Sequence, residues 1–213
     1  VGEMIEAPLI GIDRHRLSTD GEGVTTLVAF HGCPLHCRYC LNPQCADSEG
    51  IYRVLTPQEL VEELSIDHLY FAATGGGVTF GGGEPLLRSA FIAEVAKIAP
   101  PEWHFYLESS LHVPFAHLAA VAPYIHHYYI DVKDMNPDIY LAYTGQPIGH
   151  LRSNLEWLIA NTPAENITLR LPLIPNYNTE EDRQRSRQQL QAMGFTRFDE
   201  FPYIVKHPAS TDS

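Results

Sequence analysis

Three of the four cysteines, Cys33, Cys37 and Cys40, fall within eight residues in the spacing C-x3-C-x2-C. Thiolates this close open into one pocket and suit a soft metal or an iron–sulfur cluster. A [4Fe–4S] cluster held by three thiolates keeps one iron without a protein ligand. An open metal position is where a substrate or cofactor binds, by the logic that separates catalytic from structural zinc sites. A zinc knuckle recruiting Cys45, His31 or His36 is the competing reading, but zinc modules carry two separated pairs and no second pair follows. Four cysteines in 213 residues do not make a disulfide-stapled secreted scaffold. The cluster is therefore expected, with Cys45 as a bystander thiol.

Two further stretches carry chemistry. Gly82-Gly83-Glu84 ends an apolar run, where glycine lets backbone approach a ligand closely; a tight turn that merely needs glycine is the alternative. On the first reading, a side chain at Gly83 weakens cofactor binding and leaves the cluster loop intact. Arg170 stands among apolar residues in Ile167–Leu173, and a buried arginine needs an anionic partner. A cofactor carboxylate and an internal Asp or Glu both qualify.

The elements that position these residues follow from pattern. Residues 7–16 read as a short edge strand, and the β-branched run Thr25–Phe30 as a buried strand that delivers the cysteine loop at its C-terminal end. Thr56-Pro57-Gln58-Glu59 is a helix start, with a capping box and proline at the first position. Ser89 caps a helix over 90–98. Further strands are expected at Val78–Phe80, His104–Leu107, Tyr128–Val132, Asn166–Leu173 and Phe198–Ile204. Helices are expected at 114–121, 137–143, 151–160 and Thr179–Met193, the last with Glu180, Glu181 and Asp182 suiting its dipole. This alternation implies an α/β fold, a parallel sheet with helices outside. By count alone an open sheet and a barrel are equivalent. With no internal repeat or linker, residues 1–213 read as one domain.

Composition narrows the partners. Lys and Arg number 14 against 26 Asp and Glu, a formal charge of −12, which opposes binding to nucleic acid. No apolar run approaches the length of a membrane helix, and the N-terminus lacks the pattern of a signal peptide. Few cysteines and a reduced cluster point to a cytoplasmic, reducing compartment.

The cysteine motif, with Tyr39 before its last Cys, resembles the signature of the radical S-adenosylmethionine (SAM) superfamily. Its surroundings resemble the glycyl-radical-enzyme activases. Asp20-Gly21-Glu22-Gly23 is similar to the family's Asp-Gly-Pro-Gly. Residues 75–86 (Gly-Gly-Gly-Val-Thr-Phe-Gly-Gly-Gly-Glu-Pro-Leu) resemble its Gly-Gly-Gly-Val-Thr and Gly-Gly-Glu-Pro run, and Asp131-Val132-Lys133 its Asp-(aliphatic)-Lys. The resemblance implies a partial (β/α)6 TIM-like barrel, a [4Fe–4S] cluster and S-adenosylmethionine as cofactors, a glycyl radical enzyme as protein substrate, and an electron donor such as flavodoxin or ferredoxin. It implies ligation by Cys33, Cys37 and Cys40, and cofactor contacts from Tyr39, Gly82, Gly83, Glu84, Asp131, Lys133 and Arg170. For Asp131 and Lys133, placed on one face by the strand period, an ion pair is the alternative. The Asp20-Gly21 turn is expected to border the substrate opening, the Asp20 carboxylate accepting a backbone N–H from the partner loop.

The chain departs from that pattern. Leu41 stands where a histidine is usual, Glu22 where proline is, Thr25-Thr26 near an expected arginine, and Ile204 where histidine is common. Glu108-Ser109 replaces an Asp-Thr pair, and no cation is assigned there. The stretch between Cys40 and Thr56 holds only Cys45, so a single cluster is expected. The sequence runs only a short way past the last strand, which is expected to leave the barrel's side open. A compact radical enzyme acting on a small molecule or peptide, and a non-catalytic iron–sulfur protein, are the rival readings.

Overall fold

The computed structural model describes residues 5–17 and 19–205; His207, read from sequence as a surface or structural histidine, lies outside them. Among the described residues, eight strands form one sheet: β1 (Ala7–Leu17), β2 (Val24–Phe30), β3 (Arg53–Leu55), β4 (Gly77–Gly82), β5 (His104–Ser109), β6 (His127–Asp131), β7 (Ile167–Leu173) and β8 (Arg197–Pro202). Their order is β3-β1-β2-β4-β5-β6-β7-β8. The six strands β2, β4, β5, β6, β7 and β8 are mutually parallel. The two ends of the sheet do not pair, so it is an open, partial barrel. Among the described residues, seven α-helices join these strands: α1 (Pro57–Leu64), α2 (His68–Thr74), α3 (Ser89–Ile98), α4 (Phe115–Val121), α5 (Pro137–Thr144), α6 (Gly149–Asn161) and α7 (Glu180–Ala192). None among the described residues is long and apolar enough to cross a membrane.

Local chemistry explains several boundaries. Thr56 and Glu59 form the expected capping box with Pro57 in the first turn, and Thr179 with Asp182 forms a second one. Three expectations need correction. The first strand is an edge only beyond Leu9, because β3 pairs outside Ala7–Leu9 while β2 lies along its other side, both antiparallel. Ser89 is the first helical residue of α3, and its hydroxyl meets His117 Nδ1 at 3.0 Å instead of capping. Lys133 lies past the end of β6 with φ of 67°, so a turn, not the strand period, brings it back beside Asp131.

The period of two divides the sheet chemically. Val28, Phe30, Leu107, Ile130, Leu169 and Leu171 point outward into one apolar core beneath the helices. Their neighbours Leu27, Ala29, Glu108, Asp131, Arg170 and Pro172 point inward and line a cavity. The outer face supplies the burial that stabilises the fold, which leaves the inner face free to be polar.

One buried polar side chain fixes the loop after β5. Asn154 on α6 is fully buried and donates to the carbonyls of Leu111 (2.8 Å) and Val113 (2.9 Å). Leu111 holds a φ of 54°, a costly conformation for a side chain of this size. Asn154→Ala strands both carbonyls away from water and should lower unfolding stability by about 2 kcal/mol. Denaturant titration checks this; an unchanged midpoint would show the loop to be self-supporting.

Candidate active site

Past Phe30 the chain forms an irregular loop over residues 31–42, and its backbone polar groups need partners from elsewhere. His31 N–H donates to Pro8 O (2.9 Å), Gly32 N–H to Cys45 O (2.8 Å), His36 N–H to Thr144 O (2.8 Å) and Arg38 N–H to Tyr143 O (3.1 Å). On the other side, Gly83 N–H donates to Phe30 O (2.9 Å) and Glu84 N–H to Gly32 O (2.8 Å). Asn42 Nδ2 adds a bond to Gly82 O at 3.0 Å. Held this way, Cys33, Cys37 and Cys40, all free thiols, line a cavity of about 500 Å³ at the C-terminal ends of the strands, where such sheets place their ligands.

The glycines serve this loop first. Gly82 has φ of 93° and a Cβ there would strike Ala29; a Cβ on Gly83 would strike the carbonyl oxygen of Gly32. A side chain at Gly83 therefore collides with the cysteine loop, not only with a ligand, which corrects the expectation that the loop would tolerate it. The backbone of both glycines still faces the cavity.

Charges on the inner face sit side by side by register. Asp131 is opposite Arg170, and Arg170 opposite Asp199. Arg170 Nη1 meets Glu108 Oε1 at 2.6 Å, its Nη2 reaches Thr19 O at 3.4 Å, and its guanidinium lies 5.1 Å over the Tyr129 ring. The internal acid is thus the partner found for Arg170, which nonetheless lines the cavity. Lys133 Nζ lies 3.3 Å from Asp131 Oδ2, the ion pair allowed for from sequence, also on the cavity wall. Burial works against the charge on Asp131, but Lys133 and then Arg170 outweigh it and hold the carboxyl below its ordinary range. Burial likewise opposes the charge on Lys133, and Asp131 more than reverses it. Glu108 goes the other way: burial pushes its carboxyl up despite Arg170.

Four expected site residues stand off the cavity wall. Glu84 is buried, accepting from Ser109 Oγ (2.7 Å), Ser110 N–H (2.9 Å) and Ser110 Oγ (2.6 Å), and so ties the end of β4 to the loop after β5. Tyr39 packs among Tyr143, Tyr177 and Tyr203, its hydroxyl accepting from Asn176 Nδ2 at 3.1 Å. Asp20 is fully buried, with Arg16 Nε at 2.6 Å and Thr25 Oγ1 at 3.1 Å. Its carboxylate is already engaged on both oxygens, so the expected acceptor for a partner's N–H is not free. Gly21 is packed against Thr25 and the Tyr106 ring.

The cavity wall also holds Arg16, Tyr143, Asp199 and Tyr203, none of which the sequence singled out. Arg16 pairs across β1 and β2 with Thr25, so an arginine does reach the region where Thr25-Thr26 lacked one. Tyr143 is 1% exposed, and its hydroxyl has no hydrogen-bond partner among the described residues. Only the fold brings the end of α5 here.

The donor set fits a [4Fe–4S] cluster with a polar cofactor beside it. No three His, Cys, Asp or Glu among the described residues converge on a single-ion position, the arrangement that zinc requires. Three thiols spread over one mouth suit a larger multi-iron group. The Tyr143 hydroxyl and the Asp131–Lys133 pair offer polar contacts to a small molecule inside, in a cavity of ordinary ligand-binding size. The thiols must lose their protons to bind iron; burial pushes the Cys37 thiol up to about 11.

Gly83→Ala should cost the protein most of its reconstituted iron while far-UV circular dichroism stays unchanged, because the new methyl displaces Gly32 and with it Cys33. Iron analysis after anaerobic reconstitution checks this; full iron content would refute the packing account.

Comparison with known proteins agrees with this geometry. The radical SAM superfamily model matches residues 27–186. A (2S)-3-sulfopropanediol dehydratase activating enzyme of Klebsiella oxytoca is 36% identical, over 75% of this chain and 69% of that protein. A pyruvate formate-lyase-activating enzyme of Clostridium pasteurianum is 32% identical, over 60% of this chain and 53% of that protein. Among solved structures, Streptococcus suis SuiB bound to S-adenosylmethionine superposes with a TM-score of 0.61 at 11% identity, covering 86% of this chain and 43% of that one. The structure of anSMEcpe with bound AdoMet gives 0.58 at 14%, covering 85% and 52%. These two likenesses bear on fold alone, and this chain spans less than half of SuiB. The chain belongs to the radical SAM superfamily, whose enzymes use a [4Fe–4S] cluster and S-adenosylmethionine, and within it is related to the glycyl-radical-enzyme activating enzymes.

Proposed function

We propose that this protein is an activating enzyme that abstracts hydrogen from a glycine of a partner glycyl radical enzyme. The observation that carries the reading is the polar cavity opening beside three free thiols, in a chain 36% identical to an activating enzyme. The bound cluster and S-adenosylmethionine supply reductive cleavage of the S–C5′ bond and a radical able to abstract hydrogen. Cys33, Cys37 and Cys40 hold the cluster. Asp131 and Lys133, kept charged by each other, offer a carboxylate to the cofactor's ammonium or hydroxyls and an ammonium to its carboxylate. Gly82 and Gly83 present backbone groups, and Tyr143 a hydroxyl. Arg170 is held by Glu108 as a fixed positive charge on the wall. Tyr39 and Glu84 act from behind, the first by aromatic packing and the second by anchoring the loop after β5.

On the substrate side, Asp20 acts through Arg16, while Gly21 keeps the turn packed on Thr25 and the Tyr106 ring. Asp20 fixes the Arg16 guanidinium at the cavity, where it can meet carbonyl groups of an incoming peptide loop. The rest of the reading is one radical domain over residues 1–213, working in the cytoplasm, with electrons from a flavodoxin or ferredoxin.

The test is anaerobic incubation with S-adenosylmethionine and dithionite, then with a candidate glycyl radical enzyme. Formation of 5′-deoxyadenosine and a glycyl radical doublet in the partner's EPR spectrum is expected. No deoxyadenosine would leave a non-catalytic iron–sulfur protein. Deoxyadenosine coupled instead to loss of a peptide or small molecule would overturn the activase reading. Arg16→Ala, Asp20→Ala and the double variant should each slow partner activation by about tenfold, the worth of one charged hydrogen bond. Their effects should not add, because the two residues act as a unit; additive losses would assign them separate roles.

A further inference from the structure

The end of β1 adopts a conformation that its sequence does not favour. His15 has φ of 57°, in the left-handed region that is costly for a residue with a side chain. The register shows what this conformation achieves. Asp13 is opposite Leu27 and Arg16 opposite Thr25, so three steps along β1 match two along β2. The extra residue makes a β-bulge, a feature that re-aims side chains next to active sites. Two consecutive residues accordingly reach to one side: Arg14 Nε lies 3.7 Å and His15 Nε2 3.2 Å from the Asp67 carboxylate. Thr25, like Leu27 and Ala29, belongs to the inner face of β2 by the period of two, and Arg16 opposite it lines the cavity. Regular pairing would set His15 opposite Thr25 and turn Arg16 outward, to the face of Thr26 and Val28.

We propose that His15 is a positioning residue: its hydrogen bond to Asp67 holds the bulge that turns Arg16 into the cavity. The inference rests on the reading of Arg16 as a contact for an incoming peptide loop. A carboxylate only accepts, so His15 Nε2 carries the proton and donates to Asp67 Oδ1. Asp67 is 2% exposed and also accepts from Thr26 Oγ1 at 3.1 Å. It therefore grips both strands, β2 through Thr26 and β1 through the bulged residue. The Tyr70 ring on α2 meets the imidazole edge-on, with centroids 5.0 Å apart. Glycine takes such a conformation without strain; here a clamped histidine holds it instead. Arg16 in turn is fixed by Asp13 Oδ2 (2.7 Å) and Asp20 Oδ2 (2.6 Å). His15 itself is not on the cavity wall, so its influence there runs through the backbone.

Glycine is therefore the discriminating substitution. Reconstituted wild-type protein, His15→Gly and His15→Val are compared by three readouts. These are cross-strand NOEs with the cluster oxidised, activation of the partner enzyme, and 5′-deoxyadenosine formation without a partner. His15→Gly loses the clamp but needs none, so Arg16 should stay opposite Thr25 and partner activation should stay within about twofold of wild type. His15→Val loses the clamp and, being β-branched, resists the left-handed region. Its new side chain should move opposite Thr25, and partner activation should fall about tenfold, as for Arg16→Ala. Iron content and uncoupled deoxyadenosine formation should match wild type in both variants. A histidine that only added stability would make His15→Val the better strand former of the two. Wild-type pairing in His15→Val, or lost pairing in His15→Gly, would overturn the inference. A changed register with unchanged partner activation would instead refute Arg16 as a peptide contact and leave the clamp standing. Should His15→Val fail to fold, His15→Ala is judged by the same readouts.

Discussion

The site depends on the close approach of two strand ends. Gly83 donates to Phe30 and Glu84 to Gly32, and the absence of a side chain on Gly83 lets the two backbones touch. Cluster loops cannot rely on regular hydrogen bonding, since they must turn their side chains toward one point. Here the loop borrows its partners from β1, the end of α5 and the end of β4. Each borrowed bond removes a freedom the loop would otherwise have to lose on binding metal, which is how a preorganised site is built.

The same sheet keeps burial and chemistry apart. Apolar side chains on one face pack under helices, and the alternate residues carry Glu108, Asp131 and Arg170 into the cavity. Charges that close to one another and away from bulk water are tolerable only in pairs. The pairing found, Glu108 with Arg170 and Asp131 with Lys133, leaves each residue at the wall with some donor or acceptor capacity toward a ligand. Lys133 reaches its place through a left-handed backbone conformation, which costs on the order of 1–3 kcal/mol for a non-glycine residue. The next residue, Asp134, holds that turn by accepting from Asn136 N–H, Ser186 Oγ and Asn178 Nδ2. Helix α7 thus supports the site from outside through Ser186.

Periodic and local features can be read directly along the chain. Alternation of strand and helix implied a parallel sheet, a capping box marked the start of α1, acids in the first turn marked the start of α7, and the cysteine spacing pointed to the chemistry of the loop. Each depends on neighbours within a few positions, so each can be read along the chain. Cavity-lining positions on β6 and β7 were legible for a related reason: a charged residue in an apolar strand advertises a polar face.

Contacts between groups far apart in sequence were settled by folding. The partner of Arg170 is Glu108, 62 positions away, and no pattern in either strand names the other. Asp20 was read as an acceptor for a partner's N–H at the substrate opening; folding instead buries it under Arg16 and Thr25. Glu84 became an anchor because the loop after β5 brings two serines to it. Tyr143 carried no site signal, because it ends an expected helix whose pattern does not say that it meets the cysteine loop. Spacing constrains residues that share an element, whereas pairing across the sheet is set by register and by loops whose course sequence does not encode locally.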